Sequence, residues 1–111
     1  MIKVHIKEDL SIGRLGFKIK GHANFSEQGT DIVCAGVSAL AIATVNSLEY
    51  HDVRFLKKRI NEGQVEVIIQ MPEDEVSVAV VNALIETFRL GIASMTEDYG
   101  KYISLIDERS T

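Results

Sequence analysis

The apolar run of residues 32–45 is the feature that most constrains how this chain can fold. Small and branched side chains occupy nearly every helical face of the run, and the polar residues before it, Thr30 and Asp31, are good helix N-caps. A helix that is apolar all round belongs in the middle of a domain. We therefore predict a central, buried helix from about Ile32 to Tyr50.

Strand patterns surround this helix on both sides. The predicted strands are residues 1–8 and 12–23, which form a hairpin, then 53–60 and 64–71, joined by a turn at 61–63, and a last strand at about 102–107. A second helix is predicted to open at Pro72 and to run toward Tyr99. Together these elements predict one domain over residues 1–111, of the α/β (α+β) class. Its expected architecture is a two-layer sandwich of a mixed, mainly antiparallel sheet with two main helices.

Composition excludes several kinds of protein. The 111 residues include one cysteine, which rules out an internal disulfide and a cysteine-based zinc cluster, and no other metal or cofactor is expected. A lone thiol fits a reducing cytoplasm. The net charge of −4 argues against direct nucleic-acid binding and is compatible with a basic protein partner. The apolar run of residues 32–45 is too short to span a bilayer, so no membrane association is expected.

The candidate chemistry lies in a histidine and the cysteine, twelve residues apart. In the second strand the period of two places Gly21 and Ala23 on the core face, so His22 should point away from the apolar layer. Cys34 falls in the first turn of the predicted central helix, where the helix dipole favours a thiolate. A connection of eleven residues is long enough to bring the two side chains together. They are therefore candidates for a nucleophile and its general base.

Other residues near this pair have candidate supporting roles. Asp31 either caps the helix only or also orients His22, and both interpretations stay open. Gly29 lets the intervening polar loop take a left-handed conformation. Ala35 leaves room for a substrate backbone, and Ser38 follows Cys34 by one turn on the same face. Backbone N–H groups at the helix start are expected to stabilise an oxyanion.

Two segments carry a resemblance to a known family. These are Gly21-His22-Ala23 and residues 29–40, in which Cys34 is followed by alanine and glycine. In these segments the chain resembles the ribosomal-processing cysteine protease family (Prp), and the similarity extends over nearly the whole chain.

The resemblance implies a cytoplasmic homodimer that removes the N-terminal extension of a large-subunit ribosomal protein. It further implies a catalytic dyad formed by His22 and Cys34. From their positions near this pair, the residues expected to support the site or contact the substrate are Gly21, Gly29, Asp31, Ala35 and Ser38. One alternative is a non-enzymatic module that binds the same peptide as a ribosome assembly factor. A weaker alternative is a redox-sensing thiol, which would need a resolving cysteine from another chain.

Overall fold

The computed structural model describes residues 1–26 and 31–109. They form a single mixed sheet and a layer of two helices, joined by turns and loops. The strands are β1 (Ile2–Asp9), β2 (Arg14–Lys20), β3 (Phe55–Asn61), β4 (Gln64–Gln70) and β5 (Ile103–Arg109), and the helices are α1 (Ile32–Tyr50) and α2 (Glu75–Tyr99). The strand order is β3-β4-β2-β1-β5. The β1–β5 pair is parallel, and the other neighbours are antiparallel. The predicted fold class and mainly antiparallel sheet are confirmed.

The core lies between one face of the sheet and the two helices. Alternate residues of the central strands face it, and α1 contributes Val33, Val37, Ala41, Val45 and Leu48. At its centre Phe17 of β2 stacks on Phe88 of α2, with the ring centroids 4.5 Å apart. Both rings are buried. The opposite face of the sheet is not covered by either helix, which leaves polar side chains at alternate strand positions in solvent.

Two predicted boundaries are wrong by a few residues. β2 was expected to continue to residue 23, but it ends at Lys20 because Gly21 takes a φ of +99° that breaks the strand. The second helix was expected to open at Pro72, but it begins at Glu75, where the Asp74 carboxylate caps it by accepting a hydrogen bond from the Ser77 N–H at 2.9 Å. The helix continues through Gly91 to Tyr99, as predicted.

Both helices are long and apolar enough to cross a membrane by length and composition alone. The expectation that the central apolar segment is too short to span a bilayer was based on residues 32–45, whereas the helix formed here, α1, has 19 residues. Each helix nevertheless packs one face against the sheet, and α2 contributes Val81, Ile85, Phe88 and Ile92 to the core. Their apolar character therefore has an explanation in the packing of this domain.

Candidate active site

A cleft of about 550 Å³ opens where three parts of the chain meet. One wall is the segment that leaves β2, another is the first turns of α1, and the third is the turn between β3 and β4. The predicted site residues that line it are Gly21, His22, Asp31, Cys34, Ala35 and Ser38. The structure therefore brings together the histidine and the cysteine that the sequence pattern singled out.

The histidine is presented by a sharp change of backbone direction. Gly21 has a φ of +99°, and a Cβ built on it would lie 2.5 Å from the Met1 carbonyl oxygen, so this position requires glycine. Its N–H donates to the Gly63 carbonyl at 3.0 Å. The next side chain, His22, is exposed, whereas Ala23 is buried. The predicted orientation of His22 away from the core is confirmed.

The cysteine lies half-buried in the first turn of α1. The N–H of Ala23 donates to Cys34 Sγ at a distance of 3.3 Å. This contact joins the segment that carries His22 to the start of the helix. In the residues that the structure describes, no hydrogen bond links the His22 ring directly to Cys34, although both side chains line the same cleft. Catalytic hydrogen bonds are often loose in a free enzyme and tighten with substrate.

Asp31 is the N-cap of α1, and its carboxylate also holds the neighbouring segment. Oδ1 accepts hydrogen bonds from the N–H groups of Val33 and Cys34, both at 3.0 Å, and Oδ2 accepts one from the Phe25 N–H at 3.0 Å. Burial alone would raise the pKa of Asp31. The N–H donors and the Cys34 thiol outweigh this effect, so the pKa is lowered. The described contacts make Asp31 a structural clamp on both sides of the cleft.

The expected oxyanion donors at the helix start are already occupied. The N–H groups of Val33 and Cys34 donate to the Asp31 carboxylate, and the N–H of Ala35 donates to the Asp31 carbonyl at 3.0 Å. In this structure these three N–H groups are therefore engaged in the helix cap, and the oxyanion role of the helix start stays a prediction. The N–H of Ala23 is different, because it points at the sulfur itself.

The remaining predicted supporting residues have separate outcomes. Ala35 and Ser38 are exposed and line the cleft on one side of α1, as expected from their spacing. Gly29 lies outside the described residues. Among the residues that are described, no group of three His, Cys, Asp or Glu side chains is placed to hold a metal ion.

The third wall of the cleft was missed from the sequence. Residues 61–65, at the turn between β3 and β4, line the cleft opposite α1. Gly63 has a φ of +76°, and a Cβ built on it would lie only 2.9 Å from His22 Nε2. The segment 61–63 was interpreted as a turn only. Its glycine is a signal of a turn, but nothing local indicates which side chain lies against it.

A second missed feature anchors the segment that follows His22. The Phe25 ring makes edge-on contacts with Tyr99 and Tyr102, with centroid distances of 5.7 Å and 5.2 Å. These aromatic contacts tie the outer end of the segment to α2 and to the start of β5. The sequence offers only isolated aromatic residues here, far apart along the chain.

Comparison with known proteins identifies a matching family. A family model described as cysteine protease Prp matches residues 1–104. The ribosomal processing cysteine protease Prp of Bacillus subtilis is 46% identical over 48 residues, which cover 43% of each protein. The protein of the same name from Mycoplasma genitalium is 33% identical over 60 residues, which cover 54% of each. The chain thus spans about half the length of these curated relatives that it matches.

Solved structures match over almost the full chain. A crystal structure of the Staphylococcus aureus processing protease Prp, linked covalently to a product peptide, superposes with a TM-score of 0.80 at 24% identity. It covers 97% of this chain and 100% of that one. A Streptococcus mutans protein, SMU.848, has a TM-score of 0.72 at 30% identity and covers 99% and 96%. With the family match over residues 1–104, these findings show that the chain belongs to the family of cysteine protease Prp.

Proposed function

We propose that this protein is a cysteine endopeptidase that removes the N-terminal extension of a large-subunit ribosomal protein in the cytoplasm. The observation that carries the proposal is the shared cleft of His22 and Cys34, in a chain that belongs to a cysteine protease family. The curated relatives are named for ribosomal processing, which supports the substrate class. A lone free thiol supports a reducing compartment.

The proposed chemistry is acyl transfer through a thioester. His22 takes the thiol proton, and Cys34 Sγ attacks the carbonyl carbon of the scissile peptide bond. The resulting oxyanion accepts a hydrogen bond from the Ala23 N–H, which already lies 3.3 Å from the sulfur. His22 then protonates the leaving amine as the C–N bond breaks. Water, deprotonated by His22, attacks the thioester and releases the acid and the free thiol.

The most direct test is cleavage of a synthetic peptide that spans the extension and the start of the mature ribosomal protein. Cys34→Ala and His22→Ala should each abolish the product seen by mass spectrometry, while the circular dichroism spectrum is retained. His51→Ala is the matched control, since that histidine lies at the far end of α1 and lines a different cavity. It should cleave at the wild-type rate.

Two outcomes contradict the proposal. Cleavage that survives Cys34→Ala would remove the sulfur from the mechanism. A wild-type protein that binds the peptide but yields no product would favour the non-enzymatic assembly factor.

We also propose that the protein is a homodimer that pairs through α1. Beyond the cleft, the exposed face of this helix has no charged residue between Ala39 and Asn46, and the exposed residues there are small or uncharged: Ala39, Ile42, Ala43 and Asn46. In a twofold dimer the same patch of both subunits meets itself, and small side chains allow two helices to approach closely.

Sedimentation velocity tests this arrangement. Ile42→Glu should convert the dimer to a monomer, because two like charges would be buried against each other. Val76→Glu is the control, since Val76 is also an exposed apolar residue but lies on α2. A dimer that persists in Ile42→Glu, or one that is lost in Val76→Glu, would contradict the assignment.

A further inference from the structure

The uncovered face of the sheet is strongly basic although the protein as a whole is acidic. Strand register places on this face every second residue of β1, β2 and β4, opposite to the positions that form the core. Its basic side chains, all exposed, are Lys3 and Lys7 of β1, Arg14, Lys18 and Lys20 of β2, and Lys57 and Arg59 of β3. We call these seven residues the basic face.

The charge segregation is large for a chain of this size. The basic face holds seven of the twelve basic side chains in the sequence. Among the residues that the structure describes, three acidic side chains lie on the same side of the sheet: Asp9, Glu66 and Glu108. One of these, Glu66, is already paired with Lys18 and Lys57. The rest of the chain therefore carries a large negative excess. The net charge of −4 hides a surface with a clear positive side.

We propose that the basic face binds the phosphate backbone of RNA. Lysine and arginine side chains on alternate strand positions repeat about every 7 Å along a strand, and adjacent strands add further rows about 5 Å away. Such an array can neutralise several phosphates at once and release their counterions. A depression of about 330 Å³ on this face is lined by three of these basic side chains, Lys7, Arg14 and Lys18, and by two acidic ones, Asp9 and Glu66, so the basic side chains are in the majority around it.

Other occupants fit this face less well. Protein–protein interfaces are depleted in lysine at their centres and depend on buried aromatic or arginine anchors, whereas five of the seven residues of the basic face are lysines. A second copy placed face to face would bring like charges together. The choice of RNA among polyanions rests on the proposed function, because a ribosomal substrate is assembled on RNA. The charge argument itself does not depend on it.

The position of the basic face is compatible with catalysis. Lys20 ends β2 immediately before the segment that carries His22, so the face and the cleft meet at one end of the sheet. RNA bound across the strands would leave the cleft open to a peptide. Binding to RNA would then hold the enzyme near a ribosomal protein while its extension is cut.

Fluorescence anisotropy with a labelled RNA duplex of roughly 20 base pairs tests the proposal between about 50 and 200 mM salt. We expect the logarithm of the binding constant to fall against the logarithm of the salt concentration with a slope of about −3.6, because the face has a net excess of about four positive charges and each phosphate contact in a duplex contributes about −0.9. The double variant Lys3→Gln/Lys7→Gln should reduce the magnitude of the slope by about 2 and weaken binding on the order of tenfold to a hundredfold.

The matched control removes the same two charges elsewhere. The control is the double variant Lys58→Gln/Lys101→Gln. Lys58 lies on the helix side of the sheet, where it pairs with Glu49, and Lys101 lies between α2 and β5. This variant should bind RNA as the wild type does. Both double variants should cleave the isolated peptide at the wild-type rate, so a failure of RNA binding is distinguishable from a failure of the proposed protease activity.

Three results would overturn the proposal. The first is no binding to the duplex at about 50 mM salt. The second is equal weakening by the control variant. The third is binding to polyglutamate, or to phosphatidylserine vesicles, that is as tight as binding to RNA, because either would assign the face to an acidic protein or to a membrane.

Discussion

The turn between β3 and β4 is expected to set the position of His22, the proposed general base, and the addition of one methyl group at Gly63 tests this. In Gly63→Ala the new Cβ would lie 2.9 Å from His22 Nε2 and 3.2 Å from Cε1, whereas ordinary contacts are 3.4–4 Å. The ring must therefore move by roughly 0.5–1 Å or rotate away. A misplacement of about 1 Å at a catalytic group can cost on the order of a hundredfold in rate. We expect kcat/KM for the extension peptide to fall about 10-fold to 100-fold.

Backbone strain is a second effect of this substitution, and Gly13→Ala controls for it. Gly13 has a φ of +65°, close to the +76° of Gly63, and its added Cβ would lie 2.8 Å from the end of the flexible Gln70 side chain. Each substitution should cost about 1–2 kcal/mol, which lowers the melting temperature by roughly 4–8 °C. The Gly13 turn lies at the end of the sheet away from the cleft.

The two variants should thus be similar in stability and different in activity. Thermal unfolding and peptide cleavage, measured at a temperature where both variants are folded, separate the two effects. Gly13→Ala should retain activity within about twofold, since its contacts lie far from the chemistry. Equal activity in the two variants, whether both high or both low, would refute the argument that Gly63 positions His22.

Two further predictions concern stability. Phe88→Ala removes a fully buried ring that stacks on Phe17 and should cost about 3–5 kcal/mol in urea unfolding; a loss below about 1 kcal/mol would contradict the described core. The pKa of Asp31 is lowered in the folded protein, so its contribution to stability is present above its ordinary pKa of about 3.9 and is lost as the pH falls through the folded value. Asp31→Asn should therefore destabilise the protein at pH 7, and its melting temperature should fall less steeply than that of the wild type as the pH is lowered. The same dependence of melting temperature on pH in both proteins would contradict the role of Asp31 as a clamp.

The order and type of the elements could be predicted because their signals are local. The alternation in β1 and β2 and the apolar content of α1 each lie within one segment. The predicted boundaries were wrong where a single contact determines the end of an element. The end of β2 depends on the approach of Gly21 to the carbonyl of Met1, and the start of α2 depends on which of several acidic residues serves as the cap.

The site was predictable to the extent that its residues are close in sequence. Only eleven residues separate His22 from Cys34, so the chain length allows the two side chains to come together. Gly63 reaches the cleft, and Tyr99 reaches the segment after His22, only through strand pairing and helix packing, which depend on the order of strands in the sheet. The basic face could not be predicted for the same reason. The net charge is a sum over the whole chain, and only the fold shows which side chains share one face of the sheet.

Trapping of the acyl-enzyme tests the assignment of Cys34 as the nucleophile most directly. The protein is mixed with the extension peptide, quenched in acid within the first turnover and analysed by intact mass followed by fragmentation. We predict an added mass equal to the acyl portion of the peptide, located at Cys34 and absent from Cys34→Ala. An adduct on any other residue, or cleavage by Cys34→Ala at the wild-type rate, would contradict the account.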